Sequence, residues 1–145
     1  MANPLVQLGF LNRVKAGLSV TNSPELNISA SYLVKEGISM RPEGPATEML
    51  DAMVGRIGSQ VPYMPVTLTA GILKTVGLAA SYQNRFKTDT SLDEIVLTPD
   101  STVMGNFTLL NCYLLGFNEM QFNGGQAGYL ITIGGYLVVN DNMWN

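Results

Sequence analysis

The stretch that decides the fold is "AGYLITIGGYLVVN", Ala127 to Asn140. Successive side chains of an extended strand point to opposite faces. Alternation places Ala127, Tyr129, Ile131, Ile133, Leu137 and Val139 on one face, and Leu130, Tyr136 and Val138, with Gly128, Thr132 and Gly134, on the other. Both sets are apolar enough to want burial. A small domain in water has one core, so the second face of such a strand needs a cover of its own.

The run before it, "NFTLLNCYLLGFNEMQFN", has the same character. Phe107, Leu109, Tyr113, Leu115 and Phe117 are expected on one face, with Leu110, Cys112 and Leu114 on the other. Between the two runs, Asn123, Gly124 and Gly125 supply residues that tolerate positive φ in a tight hairpin turn. The pair reads as a long antiparallel hairpin, apolar on both sides. The glycines of "NGGQAG" do not make a dinucleotide fingerprint, because that motif opens a helix and this one opens a strand.

Upstream, "VKAGLSV" (Val14 to Val20) alternates cleanly, a turn at Thr21 to Pro24 follows, and "ELNISASYLV" sets Leu26, Ile28, Ala30, Tyr32 and Val34 against Glu25, Asn27, Ser29 and Ser31. These two segments are expected to be strands with one polar face. "MPVTLTAGILK" (Met64 to Lys74) is a further strand, with Thr67 and Thr69 opposite Val66, Leu68 and Ala70. In "GLAASYQNRFKTD" the period changes: Leu78, Tyr82 and Phe86 recur every four residues, the pattern of one short amphipathic helix that must dock on a sheet. "DEIVLTPD" is a short strand closed by Pro99.

The segment from Glu36 to Gln60 is the least regular, punctuated by Pro42, Gly44, Pro45, Gly55 and Gly58. Met49, Leu50, Met53 and Val54 would suit a helix from Glu48 to Val54, whereas the glycines suit an extended two-stranded excursion, the reading we prefer. Either way Ile38, Met40, Met49, Leu50, Met53, Val54 and Ile57 are too much apolar surface for a loop in water. They are candidate inter-subunit contacts, as is Trp144 near the C-terminus, which is either an anchor on a neighbouring subunit or a frayed aromatic. Long loops in compact domains are commonly functional or disordered.

Composition narrows the function. Charged residues are 13% of the 145, about half the usual share, so much of the surface is expected to be covered by something other than water. The net charge is −3, and no basic residue follows Lys87, whereas Asp93, Glu94, Asp100, Glu119 and Asp141 do. Tight nucleic-acid binding draws on Lys and Arg to displace counterions from phosphate, and the C-terminal part lacks them. There is no histidine, which removes the Ser-His-Asp and Cys-His catalytic arrangements and the usual zinc and iron sites. Asp93 and Glu94 are adjacent, and on a strand would point to opposite faces. No catalytic residue, cofactor or metal is expected. Cys112 is the single cysteine, expected as a small buried side chain in a protein made in a reducing compartment. No signal peptide or membrane-spanning run is expected.

The order of elements, a strand pair, a Pro/Gly-rich excursion, a strand, one helix, a short strand and a long apolar hairpin, resembles the tail tube proteins of tailed bacteriophages. The resemblance spans Val14 to Trp144 and is carried by "SQVPYMPVTLTAGILKT", "LAASYQNRFKTDTSLDEIVLTPDS" and "FTLLNCYLLGFNEMQFNGGQAGYLITIGGYLVVN". It implies a single domain over residues 1–145 of mainly β (α+β) class. That domain would be a small β-barrel or sandwich of antiparallel strands with one flanking helix and a long protruding loop or hairpin over residues 36–60. It further implies homo-hexameric rings stacked into a hollow tube for DNA ejection. The tape measure protein would lie in the lumen, with tail terminator, baseplate and, in a contractile tail, sheath as partners. DNA would pass without specific binding. The location would be the virion tail, assembled in the host cytoplasm. Ser29, Ser31, Thr67 and Thr69 are candidate lumen-lining residues. Under this resemblance the helix or the next subunit covers the second face of Ala127 to Asn140. The tube of type VI secretion or another contractile injection system is the related alternative. A sugar-binding β-sandwich would need more exposed aromatic residues than this chain offers.

Overall fold

A computed structural model describes residues 11, 13–101 and 104–139. Strands β1 (Gly17–Val20), β2 (Leu33–Pro42), β3 (Thr47–Ala52), β4 (Gly55–Gln60) and β5 (Tyr63–Leu73) precede one helix, α1 (Gly77–Thr88). Strands β6 (Ser91–Thr98), β7 (Phe107–Phe117) and β8 (Gly128–Val138) follow it. Six strands form one antiparallel sheet in the order β1-β6-β7-β8-β5-β2, curled into a half-barrel, while β3 and β4 form a separate two-stranded ribbon. The mainly β class with one helix is as the sequence leads one to expect.

The curl has a local cause. Along β7 the buried residues are Leu109, then Cys112 and Leu114, so the alternation slips by one residue at Asn111. Asn111 has φ +48°, and Asp93, φ +58°, sits beside it on β6, paired to Cys112. Register breaks on both strands there. Paired irregularities of this kind bend strands and increase twist, and Asn and Asp adopt the left-handed region more easily than most residues. The slip corrects the expectation that Leu109 and Tyr113 share a face: Leu109 is fully buried, and Tyr113 and Leu115 are more than half exposed.

Inside the curl, Val66, Leu68, Ala70 and Ile72 of β5 and Tyr129, Ile131 and Ile133 of β8 meet Leu18, Val20, Leu92, Ile95 and Leu97 from the other limb. The helix closes this side with Leu78, Ala79 and Tyr82, all buried. Two tyrosine hydroxyls tie it down: Tyr82 donates to the Leu26 carbonyl at 2.6 Å and Tyr129 donates to the Ala79 carbonyl at 3.1 Å. Phe86 is half exposed and packs at a tilt against Phe117, which meets Tyr129 edge to face. Close packing extends to the glycines. A Cβ on Gly135 would lie 2.6 Å from the Cys112 sulfur, so β8 can pass beneath the buried thiol only without a side chain there.

Three segments depart from the sequence expectation. The first strand begins at Gly17 instead of Val14. "ELNISASYLV" is not a strand up to Tyr32; it makes two single 3-10 turns, Pro24–Leu26 and Ala30–Tyr32, around a one-residue bridge of Ile28 to Leu18. Pro24 lacks the N–H a ladder needs, and the Asn27 side chain, in place of a backbone carbonyl, accepts from the Val20 amide at 2.8 Å. Leu26 and Ile28 still reach the core. Third, β2 continues to Pro42, so the protrusion starts at residue 43 instead of Glu36, and Ile38 and Met40 are sheet residues packed on the core. The β7–β8 connection is also longer than a tight turn, spanning residues 118–127, with Gly124 at φ +77° and the Asn123 side chain accepting from the Gly125 amide.

Candidate assembly surface

The protrusion is a hairpin, not a helix. Thr47 to Ala52 pairs with Gly55 to Gln60 in unbroken antiparallel register, and every residue of the two strands is exposed. Leu50 faces Ile57 across the ribbon and Met49 faces Gly58, which puts apolar side chains on both of its faces. Met53 is 100% and Val54 96% exposed at the tip, just beyond an Asp51–Arg56 ion pair of 3.0 Å. An isolated two-stranded hairpin is marginal in water, and this one carries five large apolar side chains in solvent.

Its direction is set by the main sheet. The β2–β5 ladder runs on past Pro42 through a Glu43 amide to Pro65 carbonyl bond of 2.8 Å, and through a Val61 amide to Ala46 carbonyl bond of 3.1 Å at the hairpin's root. The hairpin therefore prolongs the β2–β5 ribbon beyond the pole of the half-barrel that carries Pro42, Tyr63, Phe107 and Val138. The antiparallel register places Leu33, Leu73, Phe117 and Gly128 at the opposite pole, with the 118–127 loop.

The face of the sheet turned away from α1 is the second face of β8, and among the described residues no element packs over it. Register aligns Ser39, Thr69 and Thr132 across β2, β5 and β8, and Arg41, Thr67 and Gly134 in the next row. Thr132 donates to the Asn118 side-chain oxygen at 3.2 Å. Arg41 binds Glu43 at 3.1 Å. Hydrogen bonds from Arg41 first, and then from Thr67, hold the Glu43 carboxyl below its ordinary range. The cation in this row is thus neutralised by its neighbour. Toward the hairpin pole the face turns aromatic, with Tyr63 against Tyr136 at 5.2 Å and the Asn111 amide donating to the Tyr136 hydroxyl.

The structure groups the sequence candidates differently from their order. Met49, Leu50, Met53, Val54 and Ile57 gather on the hairpin, and Ile38 and Met40 leave the group for β2. Thr67 and Thr69 lie side by side on the uncovered face. Ser29 and Ser31 are exposed in the 3-10 segment, hydrogen-bonded to each other at 2.9 Å, and do not share a strand face with the threonines. Trp144 lies outside the described residues. Sequence reasoning did not single out Phe122, 86% exposed in the 118–127 loop, and its only signal is its place beside a turn. Cys112 is fully buried and burial pushes its thiol up to about 11. That makes it a core side chain. Among the described residues no group of three or more potential ligands could hold a metal ion, and no helix is long and apolar enough to cross a membrane.

No protein-family model and no curated protein matches the chain. Solved structures share its fold, among them these two. One is a chain from the tail of an empty gene transfer agent (GTA) particle with C6 symmetry, at TM-score 0.55 and 14% identity over 88% of this chain and 96% of that one. The other is a chain from the virion of the native gene transfer agent particle, at TM-score 0.51 and 13% identity over the same shares. At these identities the likeness establishes the fold.

Proposed function

We propose that this chain is a structural subunit of a phage-type tail tube, without catalytic activity. Six copies close a ring, and rings stack into a hollow conduit through which DNA leaves the virion. The observation that carries the reading is the half-barrel sheet with open edges, a fold found in a GTA tail of C6 symmetry. Strand β2 is a ten-residue edge, and a long unpaired edge in a monomer is a template for association. A closed ring removes it by pairing each outer strand with a neighbour. The apolar hairpin supplies a second contact of the same kind.

The uncovered face is the candidate lumen wall, with Thr67 and Thr69 beside Ser39 and Thr132. The hydroxyls share this face with exposed Tyr113 and Leu115 of β7, which lie beside Gly134. A wall of hydroxyl and apolar groups whose one arginine is compensated gives phosphate little to hold, so DNA slides instead of binding. Ser29 and Ser31 would line the wall only at its margin. Tape measure, terminator, baseplate and, in a contractile tail, sheath proteins are the partners this role requires, and assembly takes place in the host cytoplasm before the tube becomes part of the virion.

Negative-stain images of concentrated protein, with and without preassembled seeds, test the proposal. Rings or tubes with sixfold rotational averages are expected. A chain that stays monomeric at high concentration with seeds present overturns it.

A further inference from the structure

The two poles of the half-barrel are complementary. At one, the hairpin presents Met53 and Val54 almost wholly to solvent, flanked by Asp51 and Arg56. At the other, an open cavity of about 520 Å³ lies between β2 and the 118–127 loop, lined on its apolar side by Val34, Ala127 and Leu130, with the charged Lys35 and Glu119 and the amide side chains of that loop on its polar side. Phe122 stands exposed in the same loop. An apolar cavity of roughly 150 Å³ already takes up a benzene molecule, so the site has room for two aliphatic side chains. The tip cannot reach the cavity of its own chain. Eleven residues of β5 separate the poles by roughly 35 Å, and six-residue hairpin strands add about 20 Å in the opposite direction.

We infer that the Met53–Val54 tip of one copy seats in the cavity between β2 and the 118–127 loop of the next copy, with Asp51 facing Lys35 and Arg56 facing Glu119. This rests on the self-assembling tube and adds the surface that receives the hairpin. The occupant is a second copy because the tip matches the cavity in both respects. It brings two adjacent apolar side chains to a partly apolar cavity, and one charge of each sign to a rim with one of each. A contact between unlike poles is heterologous, and repetition along the strand direction does not close on itself, so it builds a filament instead of a dimer. Asp51 and Arg56 are already paired with each other, so the charges choose orientation more than they add affinity. The apolar tip supplies the binding.

The test uses the full chain in two separately tagged forms, Val54→Cys and Gln126→Cys, assembled together and treated with a short bismaleimide. Cys112 is buried in the folded subunit and does not compete. The expected result is a cross-linked product joining the two tags, absent from either form alone. The pair Met53→Asp with Val54→Asp is expected to keep its circular dichroism spectrum and to raise the concentration needed for assembly on the order of 100-fold. Ala127→Trp, which fills the cavity from its rim, should do the same. Tubes that form without the cross-link, or that form normally with the aspartates at the tip, overturn this contact and leave the tube standing. Links of Val54→Cys to itself overturn it in favour of a tip-to-tip contact. A wild-type chain that never assembles removes the tube and the contact together.

Discussion

Tyr82 does two jobs with one side chain. Its ring fills the space between α1 and the sheet with no exposed surface, and its hydroxyl donates to the Leu26 carbonyl at 2.6 Å. Burial raises its pKa well above the ordinary tyrosine range, so it stays a donor at any working pH. The bond holds the 3-10 turn, which brings Leu26 into the core, against the helix. Tyr82→Phe keeps the ring and strands a buried carbonyl. A loss of about 1 to 3 kcal/mol in unfolding free energy is expected from urea denaturation, with an unchanged fold. A loss below roughly 0.5 kcal/mol would show that water or another donor replaces the hydroxyl. The helical spacing of Leu78, Tyr82 and Phe86 was visible in the sequence. The acceptor was not, because it lies 56 residues away.

At the scale of elements, the hairpin is separable from the core in a way that the strands around it are not. All residues of β3 and β4 are exposed, and Met53 and Val54 at the tip stand almost wholly in solvent. Replacing residues 47–60 by a two-glycine turn between Ala46 and Val61 is expected to shift the thermal midpoint by no more than a few degrees, since no core side chain leaves. The same change is expected to abolish tube growth. Circular dichroism and a sedimentation assay on one preparation separate the outcomes: unfolding would place the hairpin in the core, and normal tubes would make it ornament. Composition had marked this segment as too apolar for a loop. Its start was misplaced by seven residues because the strand β2 carries Gly37 and Pro42, which read as breakers. Gly37 instead takes φ +65° at a register shift inside the strand, and Pro42 ends an edge, where a missing N–H costs no ladder bond.

The whole molecule presents one face to α1 and leaves the other open. If the open face lines a conduit, adding positive charge to it should leave assembly intact and slow the passage of DNA. Thr67→Lys with Thr69→Lys is the direct change. Both positions lie on the uncovered face and neither fills the core. Tubes of normal diameter are expected by electron microscopy, with slower ejection that recovers as salt screens the lysines. Unchanged ejection through normal tubes would take this face off the wall.

The amino-acid sequence by itself determined the class of elements and their order. Strong alternation marks β5 and β8, a four-residue period marks α1, and a scarcity of charge signals surface that other copies must cover. These are short-range properties, carried by neighbouring residues, and they survive any arrangement in space. Only the tertiary structure decided which face is inside on the strands that are apolar on both. One left-handed residue on β7, Asn111, reverses the inward and outward assignments from Cys112 to Leu115, until a second register shift before Gly116 returns Phe117 to the core, and no local pattern records the slip because both faces are apolar. The same holds for the 3-10 turns, where a bond from the Val20 amide to the Asn27 side chain takes the place of a ladder bond. The opposition of hairpin and cavity belongs to this second group. It follows from antiparallel register between strands distant in the chain, which exists only once the sheet has formed.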